Sequence, residues 1–252
     1  MALCFIQIPL PQFESSFFTI YAKRNINLII CKITYIFDYI QKSIYIWRKL
    51  ELMVAIITGD IINSRNVDVQ KWMPELKAVL NKYGSEPKNW EIYRGDSFQI
   101  EVLPSEALKV AILIKSTTKQ FKSLDVRLAI GIGEKTYESE KITESNGSAF
   151  IYSGESFEKL KKQTLTIQTI WKDFNQTMNL MFDLATLTMD SWTPTSSLII
   201  KTAIESNHIN QKELAILLNK KQSNISTSLK RGGFDEIQKL LHYYQQKIKN
   251  KC

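Results

Sequence analysis

Apolar and polar positions alternate along this chain in a way that predicts a regular series of elements beginning at Met53. Val54-Ala-Ile-Ile-Thr58 is an unbroken apolar and β-branched run, the pattern of a strand buried on both faces. It leads into Gly59-Asp60 and the polar turn Asn63-Ser64-Arg65. Val69, Trp72, Leu76, Val79, Leu80 and Tyr83 then recur at helical spacing, with Pro74 near the first turn and Gly84 and Pro87 as stops. Trp90–Arg94 and Ser97–Leu103 are strand-like runs parted by Gly95-Asp96, a hairpin signal. Ser105 is the expected cap of a second helix whose apolar side carries Ala107, Leu108, Ala111, Ile112 and Ile114. Val126–Gly133 reads as a strand, 135–146 as a polar loop, Gly154–Lys162 as a short helix and Leu165–Ile170 as a last strand. The first six elements match the βαββαβ ferredoxin-like order, so an α+β fold is expected over residues 53–170.

From Trp171 to Met189, apolar residues at Phe174, Met178, Met181, Phe182, Ala185 and Leu187 predict an amphipathic connector helix. It serves either as a dimer seam or as packing on the sheet. Trp192-Thr-Pro-Thr-Ser196 breaks the chain and caps the next helix, placing a domain boundary near 194. Three helices follow over Ser197–Ser206, Gln211–Asn219 and Gln222–Lys230, then Gly232-Gly233 and a fourth helix, Phe234–Lys249. Ala215 lets the second and third helices cross closely, and Asn219 suits a left-handed turn, as a helix-turn-helix requires. Ile225 and Leu229 face inward, leaving Gln222, Ser223, Asn224, Ser226, Thr227 and Lys230 outward. Those are groups that read bases and phosphates.

Charge strengthens this reading. The chain of 252 residues carries a net +8, and from Pro194 onward ten Lys/Arg stand against four Asp/Glu. A surplus confined to one end points to a polyanionic partner, here double-stranded DNA, with Lys221, Lys230 and Arg231 on the phosphates. The alternatives are a solvated lysine-rich tail and a three-helix bundle with a polar face. Cys4, Cys31 and Cys252 have no metal-ligand spacing and form no disulfide framework. A reducing, cytoplasmic setting is therefore expected.

Residues 1–52 differ in composition from the remainder. Rich in Ile, Phe and Tyr, they lack clear periodicity, and Met53 directly precedes the first strand. They are read as an atypical extension, a translated leader rather than part of the native fold. The apolar run Ile26–Ile46 is interrupted by Lys32, Asp38 and Lys42, which disfavours a membrane span of about 20 residues. A basic amphipathic surface helix is the other reading.

In the expected topology, the end of the first strand lies beside the turn of the central hairpin, which brings Asp60 and Asp96 together. Neighbouring carboxylates repel unless a proton or cation intervenes, and such an oxygen pair suits Mg²⁺ or Mn²⁺. The bland alternative is an Asp60 that satisfies turn amides. Gly131-Ile-Gly133 is too short for a dinucleotide fingerprint and is expected to let the strand approach its neighbour closely.

Gly59-Asp60, Arg94-Gly95-Asp96-Ser97-Phe98-Gln99, Arg127-Leu-Ala-Ile-Gly-Ile-Gly133, Gly147-Ser-Ala-Phe150 and Trp192-Thr-Pro194, in that order, resemble the SatD-like family from Met53 to about Arg231. The resemblance implies a palm-type domain akin to class III nucleotidyl cyclases, joined to a helix-turn-helix. It also implies metal ligation by Asp60, Asp96 and the Ile61 carbonyl, with Asn63, Ser64, Arg65 and Gln99 toward a nucleotide's phosphates. Cyclases present an Asn and an Arg on the helix after the fourth strand, and Ala149-Phe-Ile-Tyr-Ser-Gly154 supplies neither. Such groups contribute several kcal/mol to the barrier, so binding is expected rather than turnover. The sequence thus leads to a cytoplasmic, homodimeric DNA-binding regulator with a nucleotide- or metal-sensing domain. The alternative is a Mg-dependent nucleotidyl cyclase or nucleotidyltransferase; a third reading is an interaction protein without ligand.

Overall fold

The computed structural model describes residues 36–37, 40–41, 53–206 and 210–252. The chain divides into two compact units, Met1–Lys49 and Leu50–Cys252. The expectation of a leader over residues 1–52 lies, apart from the four positions 36–37 and 40–41, outside the described residues.

The second unit is α+β, built on a mixed five-stranded sheet. Strands β1 (Met53–Ile62), β2 (Trp90–Tyr93), β3 (Ser97–Val102), β4 (Asp125–Glu134) and β5 (Leu165–Gln168) are ordered β2-β3-β1-β4-β5. β1 is central and antiparallel to both β3 and β4, β2 and β3 form a hairpin, and β5 runs parallel to β4. Alternation along β1 divides its side chains between two layers. Ala55, Ile57 and Ile61 face the main core, whereas Ile56, with Val54 beside it, packs against Ile142, Ala149 and Phe150 on the opposite side.

Helices α1 (Val69–Leu80) and α2 (Ala107–Thr118) share the main core, and α3 (Ser148–Lys159) covers the other face. Asp68 caps α1 by accepting from the Gln70 amide at 3.0 Å. The expected cap at Ser105 is corrected: Pro104–Glu106 is a 3-10 turn, and α2 starts only at Ala107. Eleven of the twelve α2 residues are buried, because the helix lies between the sheet and the C-terminal helices. A one-sided apolar pattern therefore understated its role. Lys115, also within α2, is 1 % exposed and pairs with Asp125 at 2.8 Å and Asp190 at 2.6 Å. A buried ammonium persists only with such partners.

The short helix expected at Gly154–Lys162 begins instead at Ser148 and ends at Lys159. Its start has no side-chain cap and follows Gly147 at φ 153°, a backbone signal that residue identity alone does not specify. The glycines of β4 serve this helix rather than a neighbouring strand. A Cβ at Gly131 would lie 2.2 Å from the Ala149 carbonyl oxygen and 2.3 Å from the Ser153 amide nitrogen.

The C-terminal helices are α4 (Lys172–Met189), α5 (Pro194–Glu205), α6 (Gln211–Leu217), α7 (Gln222–Arg231) and α8 (Phe234–Lys249). Capping boxes start α5 (Thr193 with Ser196) and α6 (Asn210 with Glu213). The Trp192 indole donates to the Gly232 carbonyl at 3.0 Å, and the Tyr244 hydroxyl donates to the Pro104 carbonyl at 2.6 Å. Ile199, Ile225 and Tyr244 belong to the same hydrophobic cluster as Ile57 and Leu113, so one core runs from sheet to C-terminal helices. Among the described residues, no helix is long and apolar enough to cross a membrane.

Candidate functional site

Two regions gather the residues that the sequence singled out. The first lies where β1 leaves the sheet. Asp60 alternates with Val54, Ile56 and Thr58, so its side chain is directed toward the α3 face. Its cross-strand partners are Ser97 on β3 and Arg127 on β4. Both oxygens are engaged: Oδ1 accepts from the Ser97 hydroxyl at 3.1 Å, and Oδ2 accepts from Arg127 Nη2 at 2.9 Å. The Arg127 guanidinium in turn lies 5.4 Å over the Phe157 ring of α3, a cation–π contact, while its Nε is buried without a hydrogen-bond partner among the described residues.

Asp96 sits in the β2–β3 turn, where Arg94 (φ 55°) and Gly95 (φ 89°) both take positive φ, as tight hairpins require. Its backbone carbonyl accepts from the Ile61 amide at 3.2 Å, and its Oδ2 accepts from the Ser64 hydroxyl at 2.6 Å. Asp96 thereby ties the end of β1 to the following turn. That turn opens at Asn63 in the left-handed region, φ 61°, with the Asn63 amide donating to the Ser123 carbonyl at 3.1 Å.

Two grooves flank this turn and share Ser64, Arg65, Asn66 and Asp96 as a wall. One, of about 550 Å³, adds Asp68, Trp72 and Arg94; the other, of about 590 Å³, adds Asp60, Ile61, Arg127 and Lys161. Gln99 lies outside both grooves, one cross-strand step back, where its amide donates to Thr58 Oγ1 at 3.3 Å. Burial pushes the nearby Tyr93 phenol above its ordinary value; Arg94 opposes that shift, and Asp60 and Glu158 add to it. Among the described residues, no group of three or more His, Cys, Asp or Glu side chains could hold a metal ion.

The second region is α7. Lys221, Gln222, Ser223, Asn224, Ser226, Thr227, Lys230 and Arg231 are all exposed, whereas Ile225 and Leu229 are buried. None of those eight side chains makes a hydrogen bond or ion pair among the described residues. Between α6 and α7, Asn219 adopts φ 49° and the Lys220 amide donates to the Ala215 carbonyl at 2.9 Å. The α6 helix is shorter than its periodic pattern, ending at Leu217.

Sequence reasoning missed Arg127, Ser97, Lys161, Arg94 and Trp72 as neighbours of the aspartates. Arg127 and Ser97 were accessible in principle: an antiparallel register placing Ala55 opposite Ile132 puts Asp60 opposite Arg127. Lys161 carries no such signal, because it arrives from beyond the end of α3. No protein-family model matches the chain, and no curated protein matches it.

Proposed function

We propose that this chain is a DNA-binding transcriptional regulator in which a ferredoxin-like, palm-type domain of the SatD-like kind senses a nucleotide. The observation that carries the DNA reading is α7, a helix held by two buried aliphatics that, with Lys221 at its N-cap, presents eight exposed polar or cationic side chains. All eight are unengaged among the described residues. A recognition helix has that composition: cations for phosphates, amides and hydroxyls for base edges. The surplus of ten Lys/Arg over four Asp/Glu from Pro194 onward favours the same partner. Titration of labelled duplex DNA with increasing salt tests it, and no affinity at low salt refutes it.

Support for a ligand at the sheet end comes from the two grooves, where Arg65, Arg94, Arg127 and Lys161 surround Asp60 and Asp96. Four cations around a polar turn suit the phosphates of a nucleotide. Mg²⁺ or Mn²⁺ held by Asp60, Asp96 and the Ile61 carbonyl fits only by exchange, since Arg127 already neutralises Asp60. Nucleotide-borne metal would take the carboxylate and release the guanidinium to the phosphates. That exchange is what would make the site responsive to the pair rather than to a bare ion.

Nucleotidyl cyclisation or transfer is the competing reading, favoured by carboxylates and cations lining one groove. Against it, Ala149, Phe150 and Ser153 of α3 are buried against the sheet, exposed Ile151, Glu155 and Glu158 carry no cation, and Lys159 at the end of the helix pairs with Glu155 at 3.6 Å. Incubation with each nucleoside triphosphate and Mg²⁺ decides between them. Pyrophosphate release abolished by Asp96→Asn would establish the enzyme instead.

A further inference from the structure

Helix α4 is apolar on more than one side. Phe174, Met178, Phe182 and Met189 fill the core. On the opposite side Leu180, Leu184 and Leu187 stand 63 %, 62 % and 75 % exposed. A second apolar stripe at i, i+4 and i+7 spacing on the solvent side of a helix is a surface that favours being covered. Leu184 also lines a groove of about 680 Å³ between α4 and α8, whose apolar walls include Met181, Ala185, Ile237, Leu240 and Tyr243. Stripe and groove are therefore one continuous surface, with a ridge beside a slot.

The charges around this surface are separated. Asp173 and Asp183 lie exposed on α4 alongside the leucines, and neither side chain has a partner among the described residues. Lys230, Arg231 and Lys239 rim the groove with a single acid, Glu236. A surface that offers an acid-flanked ridge and a basic-rimmed slot side by side is complementary to itself under a two-fold rotation. That is the condition for an isologous dimer.

We propose that the chain forms a homodimer in which α4 of each copy lies in the α4–α8 groove of the other. This assignment does not depend on the nucleotide reading; it commits Lys230 and Arg231 to the partner copy and leaves Lys221, Gln222 and Asn224, which lie outside the groove, for DNA. Arg231 and Lys230 close the groove at the end of α7, so the contact holds the two α7 helices in a fixed relation.

Sedimentation of the full chain between about 0.1 and 100 µM tests the proposal. The expected species is a dimer of the 29.2 kDa chain. Leu184→Glu should weaken self-association on the order of 100-fold, since it would carry a charge into the apolar part of the contact formed by Met181, Ala185, Ile237 and Leu240, with an unchanged circular-dichroism spectrum. Asp183→Lys should weaken it about tenfold. Ile216→Glu, on α6 at a position 81 % exposed and outside the groove, should leave it as it is. A monomer at the highest concentration, or a Leu184→Glu protein that dimerises like the parent, overturns the proposal. Dissociation by Ile216→Glu with Leu184→Glu intact also overturns it.

Discussion

Replacing Asp60 by Asn separates two accounts of the sheet end by the sign of the effect. If Asp60 and Asp96 were two uncompensated carboxylates, removing one charge would relieve repulsion and raise stability. The structure instead places Arg127 Nη2 2.9 Å from Asp60 Oδ2, with side chains 36 % and 21 % exposed respectively. A partly buried, charge-assisted pair is worth more than a surface ion pair and less than a fully desolvated one, about 1–2 kcal/mol. Asn keeps the shape and the contact with the Ser97 hydroxyl but not the charge, and leaves the Arg127 guanidinium without its counter-ion. The expected result is a Tm lower by about 2–6 °C for a chain of this size. Arg127→Gln loses the same pair and also the Phe157 contact, so the single variants alone do not isolate the interaction. A double-mutant cycle in urea does, and should return a coupling of about 1 kcal/mol. Stabilisation by Asp60→Asn, or zero coupling, would refute the pairing.

Three further outcomes follow from other parts of the molecule. Mg²⁺ with a nucleoside triphosphate should raise the Tm more than either alone, because metal binding must displace Arg127 and the released guanidinium needs a phosphate. A hundredfold excess over the dissociation constant corresponds to about 2.7 kcal/mol, and Asp60→Asn should remove the synergy. Gly131→Ala should destabilise by about 1–3 kcal/mol in chemical denaturation, since its methyl group would meet backbone atoms of α3 that cannot move independently of the helix. Burial pushes the Cys252 thiol up to about 11, so at pH 8 it stays protonated. It should alkylate more than tenfold slower than a cysteine in a free peptide, read by mass spectrometry of the C-terminal fragment.

Strands β1 and β4 were legible as apolar runs, the mark that burial on both faces of a central strand leaves, and β3 was legible by its alternation. The hairpin was legible at Gly95 because a positive φ there selects its residue. Helix α8 was legible to its last residue, with Gly233 at φ 65° immediately before it. Helix α3 was not, because Gly154 falls inside it with open space around its Cα and so carries no boundary meaning. The full burial of α2 and of Lys115 was also hidden, since it depends on where α5 and α8 dock. The Asp60–Arg127 pair joins positions on different strands and depends on register, a long-range quantity that local pattern does not contain. Of the candidate site, the turn with Arg65 and both aspartates were visible, and the other cations around them, Arg94, Arg127 and Lys161, were not.

The most direct test of DNA recognition by α7 is a fluorescence-anisotropy comparison of Lys221→Ala and Asn224→Ala on a selected duplex and a scrambled one. Lys221→Ala should weaken both duplexes alike and reduce the salt slope by about one. Asn224→Ala should cost about 1–3 kcal/mol on the selected duplex alone. Equal, salt-independent binding by parent and variants, or none at low salt, would contradict a recognition role for this helix.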